Sequence, residues 1–278
     1  MDSQQYKLKK QHALADDSPQ RQTCYTCWKK KALCLCSTIS PFQTRTEVVL
    51  LMHPKEAKKQ KIGTGRMSLA SLENSRMFCA INFDQEEQFQ KLIKDPNRHV
   101  VLVYPANEAQ ELDGEISAQW QELIVKQKKI LTLLLIDATW PCAKKMMKLS
   151  RCLHDLPTAS FKKSYPGQFI IKHQPHDLCL STLETIIHAL NGLKAMGIEE
   201  EHTPVNNLWQ PFNEMVRFQI KCAEDPSIPS NRGAKSNVKK RPHVMRVREK
   251  KNRLFYWDLK KSQLGDHHKK GSWEVSWP

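Results

Sequence analysis

Leu131-Thr132-Leu133-Leu134-Leu135-Ile136-Asp137-Ala138-Thr139-Trp140 decides the fold. Leu131 to Ile136 are apolar or branched with almost no alternation, so both faces of the segment are expected to be buried. That is how a central strand of a parallel sheet reads. Ligands of such sheets collect beyond the carboxyl ends of the strands. Asp137, Thr139 and Trp140 are delivered to that edge and are candidate catalytic residues. A structural reading stands beside this one. Asp and Thr between a strand and a helix are good N-caps, and Pro141 suits a first helical turn.

Elements of alternating type surround this strand. Glu47 to His53 and His99 to Tyr104 read as strands, the second stopped by Pro105, and Gln168 to Lys172 as another short one. Met67 to Phe78, Glu115 to Lys128, Pro141 to about Leu153, Ser181 to Leu193 and Asn207 to Cys222 read as helices. Leu183, Ile186, Ile187 and Leu190 fall on one face of theirs. The alternation predicts an α/β class, a mostly parallel sheet with flanking helices. Four segments are expected: a flexible start (1–22), a cysteine module (23–40), a catalytic domain (41–225) and a basic, aromatic-containing tail (226–278), largely disordered.

The chain of 278 residues carries a net charge of +15, of which +10 falls between Pro226 and Pro278, with 14 basic against 4 acidic residues. A basic protein of this kind fits a polyanion partner, most plausibly nucleic acid. Phe255, Tyr256, Trp257, Trp273 and Trp277 interleave with the tail's cations, as in surfaces that stack bases while tracking phosphates. A solvated solubility tail is the plainer alternative. No stretch approaches the roughly 18 apolar residues of a membrane span, and the first residues lack an apolar signal core. A cytoplasmic protein without membrane association is expected.

Nine cysteines in such a compartment point to metal binding or burial rather than disulfides. Cys24, Cys27, Cys34 and Cys36 form a C-x2-C-x6-C-x-C cluster suited to a closed, tetrahedral, structural Zn2+ site. An iron–sulfur cluster is the lesser alternative. Cys79, Cys142, Cys152, Cys179 and Cys222 are scattered and are read as buried small side chains.

Other loops end in residues capable of chemistry or binding. They are Tyr104-Pro105-Ala106-Asn107-Glu108-Ala109, His53-Pro54-Lys55-Glu56, Gly63-Thr64-Gly65-Arg66, and Leu180-Ser181-Thr182-Leu183-Glu184. In the last, Ser181 and Glu184 satisfy a capping box. No dinucleotide fingerprint or P-loop occurs. Arg66, Lys144, Lys145 and Lys172 are plausible RNA contacts, although a solvated helix face explains the lysines nearly as well.

Taken in order, these elements resemble the DTW-domain family of tRNA-uridine aminocarboxypropyltransferases. The match runs through the cysteine module, His53-Pro54-x-Glu56, Thr64-Gly65-Arg66, Tyr104-Pro105 with Ala109, Asp137-x-Thr139-Trp140 with Ala143 and Met146, and Leu180-Ser181-Thr182-x-Glu184. It spans roughly Cys24 to Cys222. Lys172 stands near a position where the family usually has Arg, and Thr185 where it often has Ala.

The resemblance implies a SPOUT-like, knotted fold. It implies transfer of the 3-amino-3-carboxypropyl group of S-adenosylmethionine to N3 of a tRNA uridine, with release of methylthioadenosine. Asp137 would serve as general base. Tyr104, Pro105, Leu135, Trp140, Leu180, Ser181 and Thr182 would hold S-adenosylmethionine. The rivals are a knotted-fold RNA methyltransferase using the same co-substrate and a non-catalytic zinc module that binds RNA. The particular uridine, the tRNAs chosen and the oligomeric state are left open.

Overall fold

The sheet has six strands in the order β2-β1-β5-β3-β6-β4, and every pairing is parallel. They are β1 (Glu47–Met52), β2 (Ser75–Cys79), β3 (Arg98–Val103), β4 (Gln110–Glu111), β5 (Ile130–Asp137) and β6 (Thr158–Ser160). The structure, a computed structural model, describes residues 22–224 except 23, 28, 30, 32–33, 60–62, 107, 163–164 and 172–178. The expected flexible start and basic tail therefore lie outside the described residues. So does Lys172.

β5 is the inner strand the opening stretch predicts, with β1 on one side and β3 on the other. Its two faces feed different layers. Leu134 joins Val49, Leu51, Val100 and Leu102 beneath Phe83, Phe89, Leu92, Met146 and Leu153. These last come largely from two helices, α3 (Glu87–Ile93) and α5 (Trp140–Leu149). Leu133 and Leu135, alternate residues of the strand, point to the opposite face. There lie α2 (Thr64–Ser71), after the short α1 (Pro54–Lys59), and α6 (Thr182–Ala195). Leu183, Ile186, Ile187 and Leu190 of α6 are all buried, the face their spacing marks.

Local chemistry moved several boundaries. The helix expected from Met67 to Phe78 stops at Ser71, and Ser75–Cys79 becomes the edge strand β2. Asn74 fixes the turn between them: its Nδ2 donates to Thr44 O at 2.7 Å, and its Oδ1 accepts Thr44 N–H at 3.2 Å. Helical periodicity thus yields to pairing along β1. The amphipathic segment from Glu115 is α-helical only in α4 (Ala118–Trp120), then winds as a π-type turn over Gln121–Lys126. The helix after β5 ends at Leu149, because buried Ser150 turns its hydroxyl to accept Phe83 N–H at 3.0 Å. Arg151–Leu153 follows as a separate 3-10 turn. The final helix is α7 (Trp209–Glu224), entered through a 3-10 turn at Val205–Leu208.

The described residues divide into two compact units, 22–162 with 181–212, and 165–171 with 179–180 and 213–224. In the second, residues 168–171 do not form the expected strand. Ile170 N–H closes onto Gln168 O at 2.8 Å, a local turn in place of a ladder. Among the described residues no helix is long and apolar enough to cross a membrane.

Candidate active site and cysteine centre

The C-terminal edge of the sheet carries the candidate site. β1 and β5 run in register to Met52 opposite Asp137, and one further bond joins them, from His53 N–H to Asp137 O at 3.1 Å. Asp137 ends β5 on the face of Leu133 and Leu135, so its carboxylate meets the starts of α2 and α6. Its Oδ1 accepts the Thr182 hydroxyl at 2.8 Å. On the other side stands Gly65, where an added Cβ would come within 2.2 Å of Oδ2. Three loops that are far apart in sequence converge on one carboxylate.

Each neighbour is held by its own local logic. Thr182 opens α6 immediately after a complete capping box: Ser181 Oγ accepts Glu184 N–H at 3.4 Å, and Glu184 Oε2 accepts Ser181 N–H at 2.7 Å. Ser181 and Glu184 are both buried. Ser181 therefore spends an acceptor site on the helix start, while Thr182 spends its proton on Asp137. His53 is buried, and its Nδ1 accepts Lys55 N–H at 3.1 Å, which leaves the neutral ring's proton on Nε2. Burial first, then the charges of Lys55 and Lys145, lowers its pKa, so the ring stays neutral near pH 7. Arg66 is half-buried and donates to Ala57 O. Burial lowers its pKa, opposed by the neighbouring Cys79 and Asp137 side chains.

The other candidates occupy distinct positions. Thr139 is the N-cap residue of α5 but contributes no side-chain cap bond, and Pro141 sits in the first turn. Trp140 is 43% exposed, a large apolar ring in solvent at the site edge. Lys144 and Lys145 are exposed on the next turn of the same helix. Leu135 is buried one rung below Asp137, opposite Leu50. Tyr104 lies past the end of β3, with its N–H on Ala159 O at 2.9 Å. Its ring packs on the core beneath α3 and α5, the face away from the Asp137 carboxylate. Pro105 is exposed, and Leu180 is half-buried in the second unit. Sequence reasoning quoted His53 and Gly65 without giving either a task. A glycine at the second position of a helix, where no turn requires one, was the available signal.

The four cysteines form the second centre. Their sulfur atoms all lie within 4.8 Å of one another, with Cys24 and Cys36 at 3.5 Å and Cys27 and Cys34 at 3.7 Å. Four thiolates about 2.3 Å from one Zn2+ stand about 3.8 Å apart, so the set fits a tetrahedral ion. Backbone hydrogen bonds from Cys27 and Thr26, then that of the Cys36 side chain, bring the Cys24 thiol down to about 6. Burial, then the neighbouring thiols, pushes Cys36 up, which is the cost a cation at the centre would remove.

A parallel α/β sheet with an acid at its central strand end, preceded in sequence by a four-cysteine centre, defines a class. The chain belongs to the DTW-domain family, whose model matches residues 21–220. It is similar to tRNA-uridine aminocarboxypropyltransferase 2 of Drosophila melanogaster, 28% identical over 215 residues, covering 74% of this chain and 78% of the fly protein. The Mus musculus protein of the same name is 26% identical over 210 residues, covering 74% of this chain and 66% of the mouse protein. tRNA-uridine aminocarboxypropyltransferase A of Arabidopsis thaliana is 24% identical over 227 residues, covering 74% of this chain and 84% of the plant protein. No solved structure matches the chain.

Proposed function

We propose that this protein is a tRNA-uridine aminocarboxypropyltransferase, joining the 3-amino-3-carboxypropyl group of S-adenosylmethionine to N3 of a tRNA uridine. The observation that carries the reading is the Asp137 carboxylate at the end of β5, bonded to Thr182 and apposed to Gly65. Three family motifs meet there, and the relatives' names agree with it.

S-adenosylmethionine supplies a carbon made electrophilic by the adjoining sulfonium. Uridine N3–H is a poor nucleophile until its proton has an acceptor, and Asp137 would be that acceptor. The N3–carbon bond forms as the carbon–sulfur bond breaks. The electron pair goes to sulfur, methylthioadenosine leaves, and the proton resides on Asp137. No metal ion is needed at the reacting centre. Which carbon faces N3 decides between this transfer and methylation, so orientation of the co-substrate is the enzyme's main task.

Trp140, Leu135, the loop at Tyr104-Pro105 and Ser181 would supply that orientation. Thr139 would shape the loop. Arg66, Lys144, Lys145 and Lys172 would meet tRNA phosphates. The cysteine module (23–40) would hold structural Zn2+ beside a catalytic domain (41–225) of knotted, SPOUT-like connection, with 226–278 as an RNA-contacting tail. Free thiols in such a module fit the cytoplasm.

The co-product tests the reading. Incubation with S-adenosylmethionine and unmodified tRNA should release methylthioadenosine. Release of S-adenosylhomocysteine would identify a methyltransferase instead.

A further inference from the structure

Gly65 does not need to be glycine for its backbone: only Gly197 among the described glycines has a positive φ. It needs to be glycine for its neighbour. A Cβ there would meet Asp137 Oδ2 at 2.2 Å and Cγ at 2.8 Å, with Leu50 Cδ1 at 3.1 Å. A lone carboxylate would escape such a clash by rotating. This one is held, because its other oxygen takes the Thr182 hydroxyl at 2.8 Å. Thr182 in turn cannot follow easily, since the Ser181–Glu184 capping box fixes the start of α6.

We propose that Gly65 and Thr182 are paired positioning residues that seat the Asp137 carboxylate, Thr182 by binding one oxygen and Gly65 by leaving room for the other. The proposal rests on Asp137 being the proton acceptor of the transfer. Rotation of a carboxylate exchanges its two oxygens, and the Thr182 hydroxyl ends that equivalence. A fixed orientation matters because displacement of a catalytic group by about 1 Å can cost about 100-fold in rate. Thr182 on this account serves the carboxylate and not the bound co-substrate.

Two measurements test it, one of them independent of catalysis. In a thermal unfolding cycle, Gly65→Ala should lower the Tm of the wild-type protein by about 4 °C. In an Asp137→Ala background the same change should cost much less, because the carboxylate is gone and only the Leu50 contact at 3.1 Å opposes alanine's better helix propensity. Equal effects of Gly65→Ala in both backgrounds would overturn the seat.

The second measurement is kinetic. Thr182→Val should reduce kcat about 10-fold with little change in KM for S-adenosylmethionine, and move the acid limb of the pH profile upward. Thr182→Ser, which keeps the donor, should restore both. Unchanged kcat in Thr182→Val, or a loss confined to KM, would overturn the role of Thr182. If the wild-type protein transfers nothing while the thermal cycle still shows coupling, the seat stands and the proposed activity falls.

Discussion

Asp137 is tied to its neighbours at both ends: its carbonyl accepts the N–H of His53 at 3.1 Å, and its carboxylate accepts the hydroxyl of Thr182 at 2.8 Å. The first bond extends the β1–β5 ladder one residue past Met52, so the chains leave the sheet together. The backbone is thereby fixed by the sheet, and removal of the side chain should leave it in place. Asp137→Ala should lower transfer by at least about 100-fold, the usual lower bound for a general base. Loss of the Thr182 bond should cost only about 1 kcal/mol of stability by chemical denaturation. Full activity in a purified, folded variant would exclude Asp137 as the proton acceptor.

Three histidines should make the fold sensitive to mild acid. Burial lowers the pKa of His53, with the charges of Lys55 and Lys145 adding to it, and burial also lowers that of His99, with Lys129 adding. For His188 burial is opposed by Asp113, but the net direction is again down. Among the described residues His99 Nε2 is buried without a hydrogen-bond partner, so none of them compensates a proton there. The unfolded chain binds protons near pH 6.5 while the folded one does not. Stability is therefore fully present above that pH and falls as pH drops toward the lowered folded-state values, by at most about 1.4 kcal/mol per pH unit for each group. Unfolding measured from pH 7.5 to 5 should show this slope, and His99→Gln should reduce it. An identical slope in that variant would rule His99 out as a contributor.

Much of this was legible in the residues, for physical reasons. A run such as Leu131–Ile136 needs both faces buried, which an inner strand of a parallel sheet provides, and β5 is that strand. The capping box at Ser181 and Glu184 and the cysteine cluster are local patterns, and both appear as read. What was not legible depends on partners distant in sequence. Ser75–Cys79 is a strand because β1 offers an edge, while β4 and β6 are too short to carry a period. Tyr104 shares an edge with Asp137 but turns its ring to the other face, a parity that only the register between β3 and β5 reveals. Gly65 and Thr182 gain their meaning from contact with one carboxylate.

The cysteine centre should hold one zinc per chain by elemental analysis of the purified protein. Cys24→Ser or Cys36→Ser should abolish this and destabilise the module. Metal should also be lost on acidification, because the thiolates must be protonated to release it. Stoichiometric iron with visible absorption would point to a cluster instead.

Lys144 and Lys145, exposed on α5 one turn beyond Trp140, should contact tRNA phosphates. Affinity should fall steeply with salt, and Lys144→Glu with Lys145→Glu should reduce the log–log slope by about two. S-adenosylmethionine binding should remain unchanged by calorimetry. An unaltered slope would assign both lysines to a solvated helix face.

Asp137 and its neighbours are proposed to deliver an aminocarboxypropyl group to uridine. The most direct test is nucleoside mass spectrometry of unmodified tRNA incubated with the full chain and S-adenosylmethionine. The wild-type chain should yield 3-(3-amino-3-carboxypropyl)uridine, and Asp137→Ala none. A methylated uridine, or an unmodified tRNA with the wild-type chain, would contradict it.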